Sequence, residues 1–294
     1  MDIHHLKIFS SVYREKSFTK ASSALHISQP TISEHIKNLE KELGCNLFDR
    51  LGRTIIPTKE ADFLFPRALK IMEDIDRLHD DLFSTSDEIK GEIIIGASTI
   101  PGTYILPSLA VQFKKKHPGV SFEIKIEDTE RITRMVLNHE LLCAVVGARM
   151  EPEKLYYIPI VEDELVLVGL DTVIPDNIGS IIDLYHLPFL NREKGSGTRK
   201  IMEDFLARAG AEPDRLDIVA TLGSTAAVKE AVKAGLGVSI LSRLAVQEEL
   251  HKGSFRILPI KGLAMKRSFY WIGHKKRTLP NQYQAFNTFI TKSL

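Results

Sequence analysis

The sequence is poor in the residues that disulfide-stapled or metal-bound proteins depend on. Two cysteines, Cys45 and Cys143, stand among 294 residues, too few and too far apart for a disulfide framework or a metal-ligand set. Both are expected to be structural, Cys143 within the apolar run 141–146, where a thiol behaves as a small hydrophobe. No apolar stretch approaches the roughly 20 residues that cross a bilayer. The N-terminus also lacks the basic segment and apolar core of a secretory signal. A cytoplasmic protein without a membrane partner is therefore expected. The ten histidines show no spacing such as His-Glu-x-x-His, and neither Gly-x-Ser-x-Gly nor a paired-carboxylate pattern is present. The reading is of a non-enzyme with no catalytic residue, no metal and no cofactor. Charge of one sign is missing as well: the net charge is +1. Residues 1–60 carry nine Lys/Arg against seven Asp/Glu, which permits a basic patch there without demanding one.

What is present divides the chain into three. Length alone suggests about two domains, and a composition of 44% hydrophobic and 26% charged residues suits a globular chain. Residues 1–60 read as short helices closed by a hairpin, 61–87 as one long helix, and 88–294 as alternating strands and helices. The class is α/β overall.

In the first part, Ile3, Leu6, Phe9 and Tyr13 put an apolar face on one helix. A second starts at Ser17, with Thr19 near its beginning and Ala21 and Ala24 small enough to admit a neighbour. A turn at His26-Ile27 leads to Ser28, a good N-cap, and Pro30, harmless in a first turn. The third helix buries Ile32, Ile36 and Leu39 and turns Gln29, Thr31, Ser33 and Lys37 away from them. Such a pair of helices is either part of a plain three-helix bundle or a helix-turn-helix, whose second helix sets polar side chains against DNA base edges. Gln can pair with adenine, while Ser and Thr reach bases or phosphates. The hairpin that follows, 47–50 and 54–57 around Leu51-Gly52-Arg53, carries Arg50 and Arg53 and favours the second reading. It makes a wing that can reach phosphates or a narrow minor groove. The DNA-contact candidates are Thr19, Ser28, Gln29, Pro30, Thr31, Ser33, Lys37, Arg50 and Arg53.

The run from Leu6 to Thr58, with Ser17-Phe18-Thr19-Lys20-Ala21, Ala24-Leu25, Ser28-Gln29-Pro30-Thr31-Ile32-Ser33, Leu39-Glu40, Leu43-Gly44, Leu47-Phe48 and Arg50, resembles the N-terminal domain of LysR-type transcriptional regulators. The resemblance extends in layout over essentially the whole chain. It departs at Ala21-Ser22, where the family usually has Ala-Ala, and at Glu60-Ala61, where it usually has Ala-Gly. It implies a winged helix-turn-helix over 1–60, a dimerisation helix over 61–87 and a two-lobed, periplasmic-binding-protein-like effector domain over 88–294. Lobe I would comprise 91–163 and 266–294, and lobe II 164–265. It also implies a homodimer or homotetramer on a pseudo-palindromic operator in double-stranded DNA, with RNA polymerase a candidate partner.

The long helix supports this independently. Leu64, Ala68, Ile71, Ile75, Leu78 and Leu82 repeat at intervals of four and three, a seam that a partner helix would cover unless it packs on its own domain. Pro66 means that the seam starts after it or that the helix bends there.

In the third part, three strand-to-helix turns carry hydroxyls: Ser98-Thr99, leading to Thr103; Gly195-Ser196-Gly197-Thr198-Arg199; and Ser224-Thr225. Helix N-termini offer free amides and partial positive charge, so three converging on a cleft would make an anion site. Taken singly, each is an ordinary N-cap. The two glycines at 195 and 197 allow close backbone approach to a ligand. The run is not a P-loop, because it lacks the Gly-Lys-Ser/Thr ending. The effector candidates are Ser98, Thr99, Thr103, Gly195, Ser196, Gly197, Thr198, Arg199, Ser224 and Thr225, around an anionic small-molecule co-inducer. This stretch, with Tyr104-Ile105-Leu106-Pro107, resembles family members that regulate sulfur assimilation, selenium metabolism and carbon fixation. The effectors implied are inorganic oxyanions and small carboxylated or phosphorylated metabolites. A solute-binding protein would share the two lobes but would have no use for residues 1–60.

Overall fold

The computed structural model describes residues 2–51, 54–83, 88–150, 153–175, 179–258 and 265–292. They fall into two compact units, Met1–Asp87 and Glu88–Leu294.

The first unit runs α1 (Ile3–Glu15), α2 (Phe18–Leu25), α3 (Gln29–Leu43), β1 (Phe48–Leu51), β2 (Thr54–Pro57) and α4 (Lys59–Phe83). Each of the first three helices opens on a side-chain cap. Asp2, Ser17 and Ser28 accept from the amides of His5, Lys20 and Thr31, satisfying donors that have no partner inside the helix. Each closes on a left-handed residue, at Lys16, His26 and Gly44, which turns the chain sharply into the next element. Leu6, Phe9 and Val12 of α1, Ala21 of α2, and Ile32, Ile36 and Leu39 of α3 form one core with Leu47, Phe48, Phe65 and Leu69. Glu40 ties the hairpin to α3, its Oε1 accepting from Leu47 N at 2.8 Å and Phe48 N at 3.3 Å. The Cys45 thiol is free, half-buried and packed against this core.

Helix α4 continues unbroken through Pro66. Its apolar seam is divided, and the sequence pattern alone does not reveal this. Ala68 is buried and Leu64 half-buried against the unit's own core, together with Phe65, Leu69 and Met72. Further along, Ile71 and Leu78 are 40% and 57% exposed. The first part of the seam is therefore spent within the unit, while Ile71 and Leu78 of the later part face outward and Ile75 between them is half-buried. The side chain of Leu82 lies outside the described residues.

The second unit contains β3 (Gly91–Ser98), a π-helical turn (Pro101–Ile105), α5 (Leu106–Lys116), β4 (Val120–Glu127), α6 (Thr129–Leu137), β5 (Cys143–Val146) and β6 (Leu155–Gly169). It continues through β7 (Phe189–Arg192), α7 (Gly197–Arg208), β8 (Ile218–Leu222), α8 (Thr225–Lys233), β9 (Ser239–Ser242), α9 (Arg243–His251), β10 (Arg256–Ile257), β11 (Met265–His274) and α10 (Asn281–Lys292). One lobe is built on the order β4-β3-β5-β11-β6, with β3 parallel to β4 and β5. In the other, β9 and β10 pair with the far end of β6. There β7 lies parallel to β8 and joins the Val238 edge through a bridge at Phe189.

The lobes share β6, an unbroken strand of 15 residues. The crossover expected at 163/164 thus lies in mid-strand, and β11 returns antiparallel beside it. Strands buried on both faces read as continuous apolar runs, with alternate residues in different cores. Accordingly Leu165 and Leu167 enter one cluster with Phe189, Met202 and Ile240, and Val166 and Val168 enter another with Val228, Val232 and Leu241. The first lobe centres on Ile93, Phe113, Val145, Trp271 and Phe286. Cys143 is fully buried there, and burial pushes its thiol pKa up, as expected for an unreactive packing residue. No helix among the described residues is long and apolar enough to cross a membrane.

Ile36 is 0% exposed, whereas its neighbour Lys37 is exposed. Replacing Ile36 with Ala should destabilise the first unit by about 2–5 kcal/mol, and Lys37→Ala by no more than about 0.5 kcal/mol. Urea denaturation followed by circular dichroism checks both; equal losses would contradict the assignment of the two faces.

Candidate functional site

In the first unit, the polar residues of α3 collect on the side away from Ile32, Ile36 and Leu39. Gln29 and Lys37 are exposed, and Thr31 and Ser33 are half-exposed. Ser28 and Thr31 are tied together, their hydroxyl oxygens 2.7 Å apart, with Ser28 Oγ also accepting from Thr31 N. This fixes the start of α3, with Pro30 in its first turn. Thr19 is exposed on α2, its carbonyl taken by the Ser23 hydroxyl at 3.3 Å. Arg50 belongs to β1, paired with Ile55 of β2. Its side chain, and Arg53 altogether, lie outside the described residues.

In the second unit, parallel strands deliver their carboxyl ends to a cleft between the lobes, where ligands of open α/β sheets collect. Ser98 ends β3, Asp128 follows β4, Gly147 follows β5 and Arg192 ends β7. The cleft is narrow, with a free volume of about 10 Å³, and is lined by these residues with Thr99, Thr129, Ser196–Thr198, Arg267 and Phe269. The lobes touch directly, Glu130 N donating to Gly195 O at 3.2 Å. Gly195 has φ +90°, and a Cβ at Gly197 would fall 2.6 Å from Thr129 Oγ1. One glycine thus serves a left-handed turn, and the other the approach of α7 to the opposite lobe.

Two buried arginines organise the floor. Arg192 donates from Nε and Nη2 to the two Glu193 carboxylate oxygens at 2.7 and 2.6 Å. Its Nη1 donates to Thr225 Oγ1 at 2.6 Å, and Nη2 reaches Thr99 Oγ1 at 3.5 Å. Arg267 donates from Nε to Asp163 Oδ2 at 2.8 Å and from Nη1 to Thr198 Oγ1 at 3.1 Å. Its guanidinium lies over the Phe269 ring, 4.6 Å from the centroid. Nη2 is also 2.8 Å from Asp163 Oδ2, but misaligned for a hydrogen bond, so this buried nitrogen has no acceptor among the described residues. Burial lowers the Arg267 pKa, Asp163 pulls it back up, and the positive charge of Arg192 lowers it further. An arginine keeps its proton under such opposed influences.

The serines and threonines of the three turns play different parts. Ser196 and Ser224 are N-caps, accepting from Arg199 N at 3.4 Å and Ala227 N at 3.1 Å. Thr99, Thr198 and Thr225 accept from the arginines. A hydroxyl that accepts from a guanidinium has its own proton left to donate, so Thr99 and Thr198 can present donors to the cleft. Among the remaining candidates, Thr103 is exposed and bonds back to Thr99 O at 2.8 Å. Arg199 is held by Glu203 at 2.7 Å and the Arg192 carbonyl at 3.1 Å. Gly195, Ser224 and Thr225 stand behind the lining rather than in it. The sequence reading missed Arg192, Arg267, Asp128, Thr129 and Gly147. Arg192 and Asp128 carry a signal, being polar residues at strand ends, whereas Arg267 comes from the last strand, far away in sequence.

A wider groove of about 570 Å³ runs past Glu162, Glu164, Arg243, Gln247, His251 and Lys266. It mixes both signs of charge on long side chains, Arg243 being paired with Glu164 at 2.9 Å, and the ends of the parallel strands β3, β4, β5 and β7 converge on the narrow cleft instead, which makes the cleft the stronger candidate site.

The Asp163 side chain is 0% exposed and accepts from Ser242 Oγ at 2.8 Å as well as from Arg267. Asp163→Asn should destabilise the second unit by about 3–5 kcal/mol, because it leaves the guanidinium charge buried without a counter-charge. The Asp163→Leu/Arg267→Met pair should recover most of that loss. Thermal denaturation of the full chain is the measurement, and a loss below about 1 kcal/mol for Asp163→Asn would show that Arg267 is not a desolvated ion.

Comparison with known proteins places this architecture. The family of bacterial regulatory helix-turn-helix proteins, lysR family, matches residues 3–62, and the LysR substrate binding domain matches residues 86–294. The chain is 35% identical over 292 residues to the probable RuBisCO transcriptional regulator of Guillardia theta, covering 96% of this chain and 91% of that one. It is 34% identical to the HTH-type transcriptional regulator CysL of Bacillus subtilis, covering 91% of this chain and 89% of the relative. The regulatory domain of Synechocystis PCC6803 CcmR, solved in complex with 2-PG, matches with a TM-score of 0.63 at 26% identity, over 69% of this chain and 97% of that one. With a helix-turn-helix unit, an effector-binding unit and the family's regulatory rather than enzymatic character, the chain belongs to the LysR-type transcriptional regulators.

Proposed function

We propose that this regulator reads DNA through the exposed face of α3 and answers to a small anionic effector held in the cleft between the lobes. The observation that carries the effector reading is the pair of buried arginines, each bonded to a threonine that faces the same narrow space. The CcmR regulatory domain, solved in complex with 2-PG, supports a small ligand in this domain type. Arg192, Arg267, Ser98, Thr99, Ser196, Gly197 and Thr198 would surround the anion. Thr225 would steady Arg192 from behind, with Gly195, Arg199, Ser224 and Thr103 holding the turns. A guanidinium and an anion form charge-assisted bonds about twice as strong as neutral ones.

On the DNA side, Gln29, Thr31 and Ser33 would meet base edges, while Lys37, Ser28 and Thr19 would meet phosphates, with Pro30 shaping the turn that aims them. Arg50 and Arg53 would serve as the basic residues of the wing. Ile71 and Leu78, apolar and outward-facing on α4, suit a second copy of the chain, so that paired heads meet the two halves of a pseudo-palindromic operator. The cytoplasm, where the chromosome lies, is the proposed location.

Titrating the full chain calorimetrically with inorganic phosphate, sulfate and 2-PG tests the effector. At least one should bind, and Thr198→Val and Arg192→Gln should each weaken it by about tenfold or more. Absence of binding by all three would remove the anionic effector. For DNA, Gln29→Ala should blunt base preference more than non-specific affinity. Lys37→Ala should reduce the salt slope of binding by about one and weaken all sequences alike. An unchanged slope, or an equal loss of both affinities in Gln29→Ala, would take the corresponding residue out of the interface.

A further inference from the structure

The charges of the cleft do not add up to a simple anion trap. Arg192 is already neutralised by the bidentate Glu193, and Arg267 by the fully buried Asp163. A third carboxylate, Asp128, also lines the cleft and has no ion-pair partner among the described residues. One of its oxygens is committed: Oδ1 accepts from Arg131 N at 2.8 Å as the N-cap of α6. The same oxygen is covered by the 194–196 turn, since a Cβ at Gly195 would lie 2.8 Å from it. Of the charged neighbours on these elements, Glu130 is ion-paired with Arg134, and Lys194 lines the adjoining groove with Glu130. Neither supplies Asp128 with a counter-charge.

A carboxylate only accepts hydrogen bonds. A fully ionised oxyanion is also acceptor-only, so placing it against Asp128 sets like charges together with no proton between them, an unfavourable contact. An oxyanion that keeps one O–H removes that conflict: its charged oxygens meet the threonines, Arg192 and Arg267, and its hydroxyl donates to the free oxygen of Asp128. Resting on the reading of the cleft as an anion site, we infer that Asp128 is a specificity residue that selects oxyanions bearing a hydrogen-bond donor, such as protonated phosphate, over fully ionised ones such as sulfate.

Inorganic phosphate and sulfate are the probes, because near neutral pH phosphate always carries at least one proton and sulfate none. Asn caps helices as well as Asp does, so Asp128→Asn preserves the cap while replacing a carboxylate oxygen by an amide that donates. The full chain and this variant are titrated with each ion in a chloride buffer, and their thermal stabilities are compared. The wild type should bind phosphate on the order of tenfold or more tighter than sulfate. In Asp128→Asn the ratio should collapse towards one, chiefly through a gain in sulfate affinity, with unfolding temperature unchanged. A wild type that binds sulfate as tightly as phosphate overturns the inference, as does a variant that keeps the wild-type ratio, which would leave Asp128 a cap alone. If neither inorganic ion binds either protein, the selection proposed here is overturned, while the anionic-effector reading still stands or falls on 2-PG.

Discussion

The pairing of Asp163 with Arg267 is the constraint on which the second unit turns. The two residues are direct cross-strand partners, on β6 and β11, where those strands pass from one lobe to the other. Burying both ions costs several kcal/mol, which their mutual attraction offsets only with good geometry and satisfied lone pairs. Asp163 meets that condition through Arg267 and Ser242. Arg267 meets it in part, through Asp163, Thr198 and the face of Phe269, its Nη2 being left without an acceptor among the described residues. Because the pair tolerates little displacement, it fixes α7, which begins beside Thr198, relative to the crossing strands. A hydrophobic pair would fill the same volume, but it would offer Thr198 no donor and the cleft no charge.

From that anchor the division of labour among the hydroxyls follows. Serine caps α7 and α8, consuming its acceptor capacity on backbone amides. Threonine, one or two residues further on, points at a guanidinium. The helix N-termini are thereby tied down by their own residues, and the donors that face the cleft are those of the threonines and arginines. The sequence pattern of small hydroxyl residues at strand-to-helix turns thus has two physical causes side by side, and only one of them concerns a ligand.

Much of this was legible from the residues. The buried stripe of α3, the Ser28 cap, the turn at His26 and the hairpin are local, set by spacing and backbone preference over a few residues. The alternation of strands and helices after residue 90 was legible for the same reason. Two things were not. The seam of α4 has one period throughout, yet its start packs on Phe65's own core while Ile71 and Leu78 face out; periodicity reports that a face is apolar, not what covers it. The arginines were hidden by distance along the chain. Arg267 and Thr198 are 69 residues apart, joined because β11 returns between β5 and β6, and Arg192 and Thr99 are 93 apart, meeting across the cleft. Asp128 reads in sequence as a plain N-cap, which it is. Its second role depends on the other charges of the cleft being already matched.

That matching also bears on how a ligand could alter the domain. A ligand shifts an equilibrium only by binding one arrangement better than another. Across the cleft, the chain makes its own contacts: Glu130 N to Gly195 O at 3.2 Å, and Arg192 Nη2 to Thr99 Oγ1 at 3.5 Å. The second is at the outer limit of a hydrogen bond, and it is the weakest of the Arg192 contacts, the other three lying between 2.6 and 2.7 Å. An anion accepting from both Arg192 and Thr99 would exchange this one long contact for two charge-assisted ones, each made to a different lobe. The gain exists only when the lobes are close enough to share the anion. The closed arrangement, and not the open one, is therefore the one that such a ligand stabilises.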